Sequence, residues 1–124
     1  GAFFICCIFV TITKNIMEKF LFYEKATDDM VCIPAHRLVE MIVNGDSDLI
    51  TLHHRMYDDG TDGSDMQYLV RLNVNEDKAK QAIETISNNI STGKDAFIVV
   101  ADDLNKQYID DNITAISSTI VDVV

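Results

Sequence analysis

Met66-Gln-Tyr-Leu-Val-Arg-Leu-Asn-Val74, running straight into Asn75-Glu-Asp-Lys-Ala-Lys-Gln-Ala-Ile-Glu-Thr-Ile-Ser-Asn-Asn-Ile-Ser-Thr-Gly93, is the stretch that decides the fold. Its first half alternates. Met66, Tyr68, Val70, Leu72 and Val74 share one face, with Gln67, Arg71 and Asn73 on the other, the period of a half-buried strand. Its second half changes period. Ala79, Ile83, Ile86 and Ile90 recur at helical spacing, one apolar stripe that should lie on a sheet. Asn75 can cap this helix, Glu76 and Asp77 suit its positive end, and Gly93 can end it.

Working back from this strand, the acidic segment Asp58-Asp-Gly-Thr-Asp-Gly-Ser-Asp65 reads as a hairpin loop to a strand over 49–57. There Ile50, Leu52, His54 and Met56 face one way, and Thr51, His53, Arg55 and Tyr57 the other. Asn44-Gly45-Asp46 makes a hairpin turn to a further strand, Leu38–Val43, because Asn and Gly tolerate positive φ. Met30–Ile33 is extended before Pro34, Ala26–Asp29 is a turn, and Phe20–Tyr23 is a strand. Beyond the helix, 95–101 reads as a buried strand and 102–106 as a turn. In 109–124, Ile109, Ile113, Ile116 and Ile120 have helical spacing, but Thr, Ser and Val dominate between them. Propensity assigns a strand, with a bulge near Ser117-Ser118. The expected fold is α+β, mostly β: a strongly curved antiparallel sheet or half-open barrel with one long helix, about 76–92, packed on it.

Residues 1–16 differ from the rest. Phe3-Phe-Ile-Cys-Cys-Ile-Phe-Val-Thr-Ile12 is almost wholly apolar, too short to cross a bilayer and without the flanks of a secretory signal. Met17 reads as the natural start, with Gly1 a cloning scar and 1–16 either non-native or an added strand at a sheet edge or a neighbouring subunit. Residues 17–124 form a single β-rich domain.

Ten Lys and Arg against twenty Asp and Glu give a net charge of −10, which repels phosphate backbones and anionic lipid. Arg37, Arg55 and Arg71 are scattered, so nucleic acid and membranes are poor partners. After Met17 only Cys32 remains, which rules out a disulfide framework within one chain. The expected setting is the host cytoplasm or a virion, not the secreted space.

The residues that could carry chemistry form four groups. Asp58, Asp59, Asp62 and Asp65 crowd carboxylates beside two glycines, as a hard cation requires, though without EF-hand ligand spacing. His53 and His54 point to opposite strand faces and cannot chelate one metal together. His54 reads as a hydrogen-bonded core histidine, and His53 as a pH-sensitive contact to a carboxylate on the next strand. Cys32 and His36 point apart on extended chain, leaving Cys32 as a buried structural cysteine. Asp102-Asp103 and Asp110-Asp111 read as turn and cap residues. No phosphate-binding or nucleophile-elbow motif occurs, so no catalytic residue, cofactor or enzymatic activity is expected.

Phe20–Pro34 and Ala96–Asp103 resemble uncharacterised small proteins of marine phages and environmental marine sequence, which implies a viral, virion-associated origin. The strand order is similar to that of the Sm-like small β-barrel, whose subunits join edge to edge into rings. The Asp-x-x-Met-Asn and Arg-Gly-Asp patterns of that family are absent and the helix is elsewhere, so its RNA-binding residues do not carry over. The leading expectation is a non-enzymatic structural or assembly subunit that homo-oligomerises. The alternatives are an Sm-like ring protein and a small binding module using the 58–65 loop.

Overall fold

The computed structural model describes residues 18–45, 48–56 and 66–123. The apolar leader, Met17 and the acidic loop lie outside the described residues. Within them the order is β1 (Phe20–Ala26), β2 (Asp29–Pro34), a 3-10 turn (Ala35–Arg37), β3 (Leu38–Asn44), β4 (Leu49–Arg55), β5 (Met66–Val74), α1 (Ala79–Thr92), β6 (Phe97–Asp102), β7 (Gln107–Tyr108) and β8 (Ile113–Val123).

The class is α+β and mostly strand, but the strands divide between two four-stranded sheets, neither closed into a barrel. Sheet A has the order β2-β1-β6-β7 and sheet B the order β3-β4-β5-β8. Every pairing is antiparallel except β1 with β6, which is parallel. The two sheets and the helix share one core. Leu21, Tyr23, Ile98 and Val100 come from sheet A, Ile50, Leu52, Val70 and Leu72 from sheet B, and Ala82 and Ile86 from α1. Each fully buried Leu or Ile contributes roughly 1.5–3 kcal/mol.

The alternation of β5 places Val70, Leu72 and Val74 in the core as its pattern requires. Leu69, on the opposite face, is also buried, covered by its cross-strand neighbours His53 and Ile120. The C-terminal segment is a strand, and opposite Arg71 and Leu72 the pairing jumps from Ser118 to Ile116, a bulge at Ser117. A second bulge skips Val39 in β3. It reverses parity, so Leu38 and Met41 pack on the core while Ile42 turns out. Leu38 and Ile42 therefore do not share a face, as strict alternation had them.

The helix begins at Ala79, three residues later than Glu76. Asp77 has φ 62°, a left-handed conformation that no helix interior accepts. Asn75 does not cap the helix. Its carbonyl accepts the Lys78 N–H at 3.0 Å, and its own N–H donates to the Asn112 carbonyl at 2.8 Å. At the other end Lys19, just before β1, donates its Nζ to the carbonyls of Asn89 (2.8 Å) and Gly93 (2.6 Å). A cation on the last carbonyls opposes the negative end of the helix dipole and ties α1 to the start of β1.

Gly93 terminates α1 with ordinary negative φ (−66°), so left-handed geometry is not why glycine stands there. A Cβ at Gly93 would lie 2.6 Å from the Asn89 carbonyl oxygen, the same oxygen Lys19 uses. Gly93→Ala is therefore expected to cost about 1–3 kcal/mol in urea unfolding. Lys94→Ala, at the exposed next position, should leave the midpoint nearly unchanged.

Candidate functional site

His54 lies at the centre of the molecule and is fully buried. Its Nδ1 is 2.9 Å from the Tyr68 carbonyl, which can only accept, so the proton sits on Nδ1. Nε2 then accepts from the Tyr23 hydroxyl at 2.8 Å. Both ring nitrogens are satisfied, and Tyr23 and Tyr68 flank the ring edge-on. This is the hydrogen-bonded core histidine read from the alternation of β4. Burial holds its pKa below the ordinary value; the bond to the Tyr68 carbonyl opposes this and the nearby His53 adds to it. Burial, with Tyr68 nearby, pushes the Tyr23 hydroxyl well up.

His53 points outward, and its Nδ1 is 3.1 Å from Oε1 of Glu40 on β3, the carboxylate contact expected of it. With Val39, Arg55 and Gln67 these two side chains line a depression of about 260 Å³ on sheet B. Within it the His53–Glu40 pair ties β4 to β3. Asp58, Asp59, Asp62 and Asp65 belong to the loop joining these same two strand ends and lie outside the described residues. Among the described residues no cluster of three or more His, Cys, Asp or Glu could hold a metal ion.

The carboxylates of the last third hold turns. Asp102 is buried, and its oxygens accept from the Leu104 and Asn105 N–H groups (3.1 Å each) and the Asn105 side chain (2.9 Å). Burial works to raise its pKa, but these bonds and one shared with Glu24 outweigh it and hold the group low. Glu24, its register partner on β1, is pushed up by desolvation and by the Asp102 charge. Asp103 accepts from the Tyr108 hydroxyl (2.8 Å) and the Ile116 N–H (3.2 Å). Burial and Asp103 together push Tyr108 up to about 12. Asp110 accepts from Thr85 (2.6 Å) and from the Asn112 N–H (2.8 Å), joining the helix to the β7–β8 connection. Burial opposes these bonds, yet the Asp110 pKa is lowered.

Cys32 and His36 do not meet: His36 contacts Glu18 at 3.3 Å. Cys32 is exposed, not buried. In β2 the core side is taken by Val31 and Ile33, which leaves Met30 and Cys32 on the outside of sheet A. Beside them on that outer face stand Phe22 of β1 and Phe97 of β6, ring centroids 5.2 Å apart. Phe97 is 53% exposed and Met30 48%. This face is the strongest functional feature among the described residues. Sequence alternation held the signal, since Phe20 and Phe22 face away from Leu21 and Tyr23, so β1 is apolar on both sides.

No family model, curated protein or solved structure matches the chain. Among the described residues no helix is long and apolar enough to cross a membrane.

The neutral, buried His54 makes stability depend on pH. Its folded pKa lies below the unfolded value of 6.5, so the unfolded chain takes up the proton first as pH falls. Its contribution is complete above pH 6.5 and is lost as pH drops toward the folded pKa. Urea unfolding should show stability decreasing from about pH 7.5 to about pH 5.5, with the slope flattened in His54→Gln.

Proposed function

We propose that this protein is a non-enzymatic structural or assembly subunit that associates with copies of itself. The observation that carries the reading is the outer face of sheet A. Phe22, Met30, Cys32 and Phe97 set an apolar surface on a chain whose net charge is −10. Contiguous exposed apolar surface is costly in water and marks interaction sites. A second copy offers the same surface, so two can cover each other isologously. Exposed Val39, Ile42 and Val43 on edge strand β3 give further apolar contact for a growing assembly. The buried carboxylates and His54 are engaged in holding turns and core, which favours an assembly role over a catalytic one. The resemblance of Phe20–Pro34 and Ala96–Asp103 to small proteins of marine phages and environmental marine sequence supports a phage particle as the setting of this assembly.

Light scattering of the full chain should give a defined oligomer. Met30→Glu with Cys32→Glu places two charges on exposed β2 positions without touching the core, and should weaken association on the order of 100-fold. A wild-type monomer at high concentration, or a double variant that assembles as well as wild type, refutes the reading.

A further inference from the structure

β7 leaves its row of sheet A early. It pairs with β6 at Ala101 and Asp102, and one further bond, from the Ile109 N–H to the Val100 carbonyl at 3.1 Å, continues the row. Asp110 then departs, its carboxylate bonded to Thr85 of α1 at 2.6 Å. Phe97, Ile98 and Val99 therefore have β1 on one side and no strand on the other among the described residues. The Ala96 carbonyl accepts the Phe20 N–H at 2.7 Å, which sets the backbone phase. Ala96 and Ile98 bond toward β1, so the N–H and C=O of Phe97 and the N–H of Val99 face the other way. A groove of about 580 Å³ runs along this side. Three residues, about 10 Å of open sheet edge, are a template for an added strand.

The lining of the groove states the charge of what fits it. Asp95 stands at its foot, just before Ala96, and Asp110 and Asp111 stand at its head, just past Ile109. Against these three carboxylates the lining holds one ammonium, that of Lys106. Among the described residues no three acidic, histidine or cysteine side chains are grouped to hold a metal ion, so the carboxylates do not converge on one cation. They also oppose a second copy at this place. Antiparallel pairing of β6 with itself would set Asp95 of each copy against Asp110 and Asp111 of the other, on chains of net charge −10. A cationic strand meets the reverse situation. It is drawn in from a distance and held at both ends of the edge.

We infer that the free edge of β6 is a docking site for an extended basic segment of a partner protein, which joins sheet A as a strand with lysine or arginine side chains four residues apart. That spacing puts both cations on one face of the strand, about 13 Å apart. Asp95 at the foot and Val99 beside the head are likewise four residues apart. The site is separate from self-association through Met30 and Cys32, which lie on β2 with β1 between them and β6.

The full 124-residue chain, titrated with the peptide Lys-Val-Thr-Val-Lys at low salt, tests this by fluorescence anisotropy and residue-resolved hydrogen exchange. The peptide should bind and slow exchange at the Phe97 and Val99 amides, while the Ile98 amide, which faces β1, stays protected throughout and reports an intact fold. Glu-Val-Thr-Val-Glu should not bind. The basic peptide N-methylated at every interior residue keeps its charge but loses its strand donors, and should bind at least about 10-fold more weakly. Asp95→Asn with Asp111→Asn, both at exposed positions, should weaken the unmodified peptide about 5-fold. Equal binding of the N-methylated peptide overturns the inference, because attraction to net charge alone would then explain it. Equal binding of the acidic peptide, or no change at Phe97 and Val99, overturns it too. So does slow exchange of those two amides before any peptide is added, since the edge would then already be paired.

Discussion

The parallel contact between β1 and β6 is the constraint on which the rest of the molecule depends. It sets Leu21 and Tyr23 opposite Ile98 and Ala101, all buried, and so forms the floor of sheet A from strands far apart in the chain. Parallel neighbours require a long crossover, and here the crossover contains three strands of sheet B and the whole helix. Three of the four strands of sheet B are therefore inserted between β1 and β6, and β8 joins them from beyond β7. Lys19 fixes the same junction from outside by holding the end of α1 against the first residues of β1. Tyr23 fixes it from inside by reaching across to His54 of sheet B.

Much of this was legible where a local rule had no competitor. The alternation of Val70–Val74, the stripe on α1, the turn at Asn44-Gly45 and the core placement of His54 each follow from period or turn chemistry, and each stands in the structure, while Met66, expected on the core face, is exposed at the start of β5. The bulge at Ser117 was readable because two adjacent serines interrupt the isoleucines of the last strand. What escaped was non-local. Nothing in Phe20–Ala26 states that its partner is Phe97–Asp102 or that the pairing is parallel. A single curved sheet therefore stood where two exist.

Other differences have equally specific causes. The bulge at Val39 has no marker residue, and one skipped position is enough to exchange the faces of Met41 and Ile42. Asp77 adopts a left-handed conformation that acidic first-turn propensity does not reveal. Cys32 is exposed because β2 is an edge strand with only Val31 and Ile33 turned inward, whereas a cysteine among apolar residues reads as buried. The carboxylates of the last third were recognised as turn residues. The pairing of Asp102 with Glu24 came only with the sheet.

The crossover also orders events in time. During synthesis the hairpins of sheet B, joined by short local connections, are complete before the ribosome has made Phe97. β1 and β2 emerge first and can pair with each other, yet β1 cannot gain its central partner until nearly four-fifths of the chain exists. Over that interval the β1–β2 hairpin carries apolar side chains on both of its surfaces, Leu21 and Tyr23 on one and Phe22 on the other. β1 thus stays adhesive until β6 emerges beside it, and sheet B waits longer still, for β8 to cover the edge of β5.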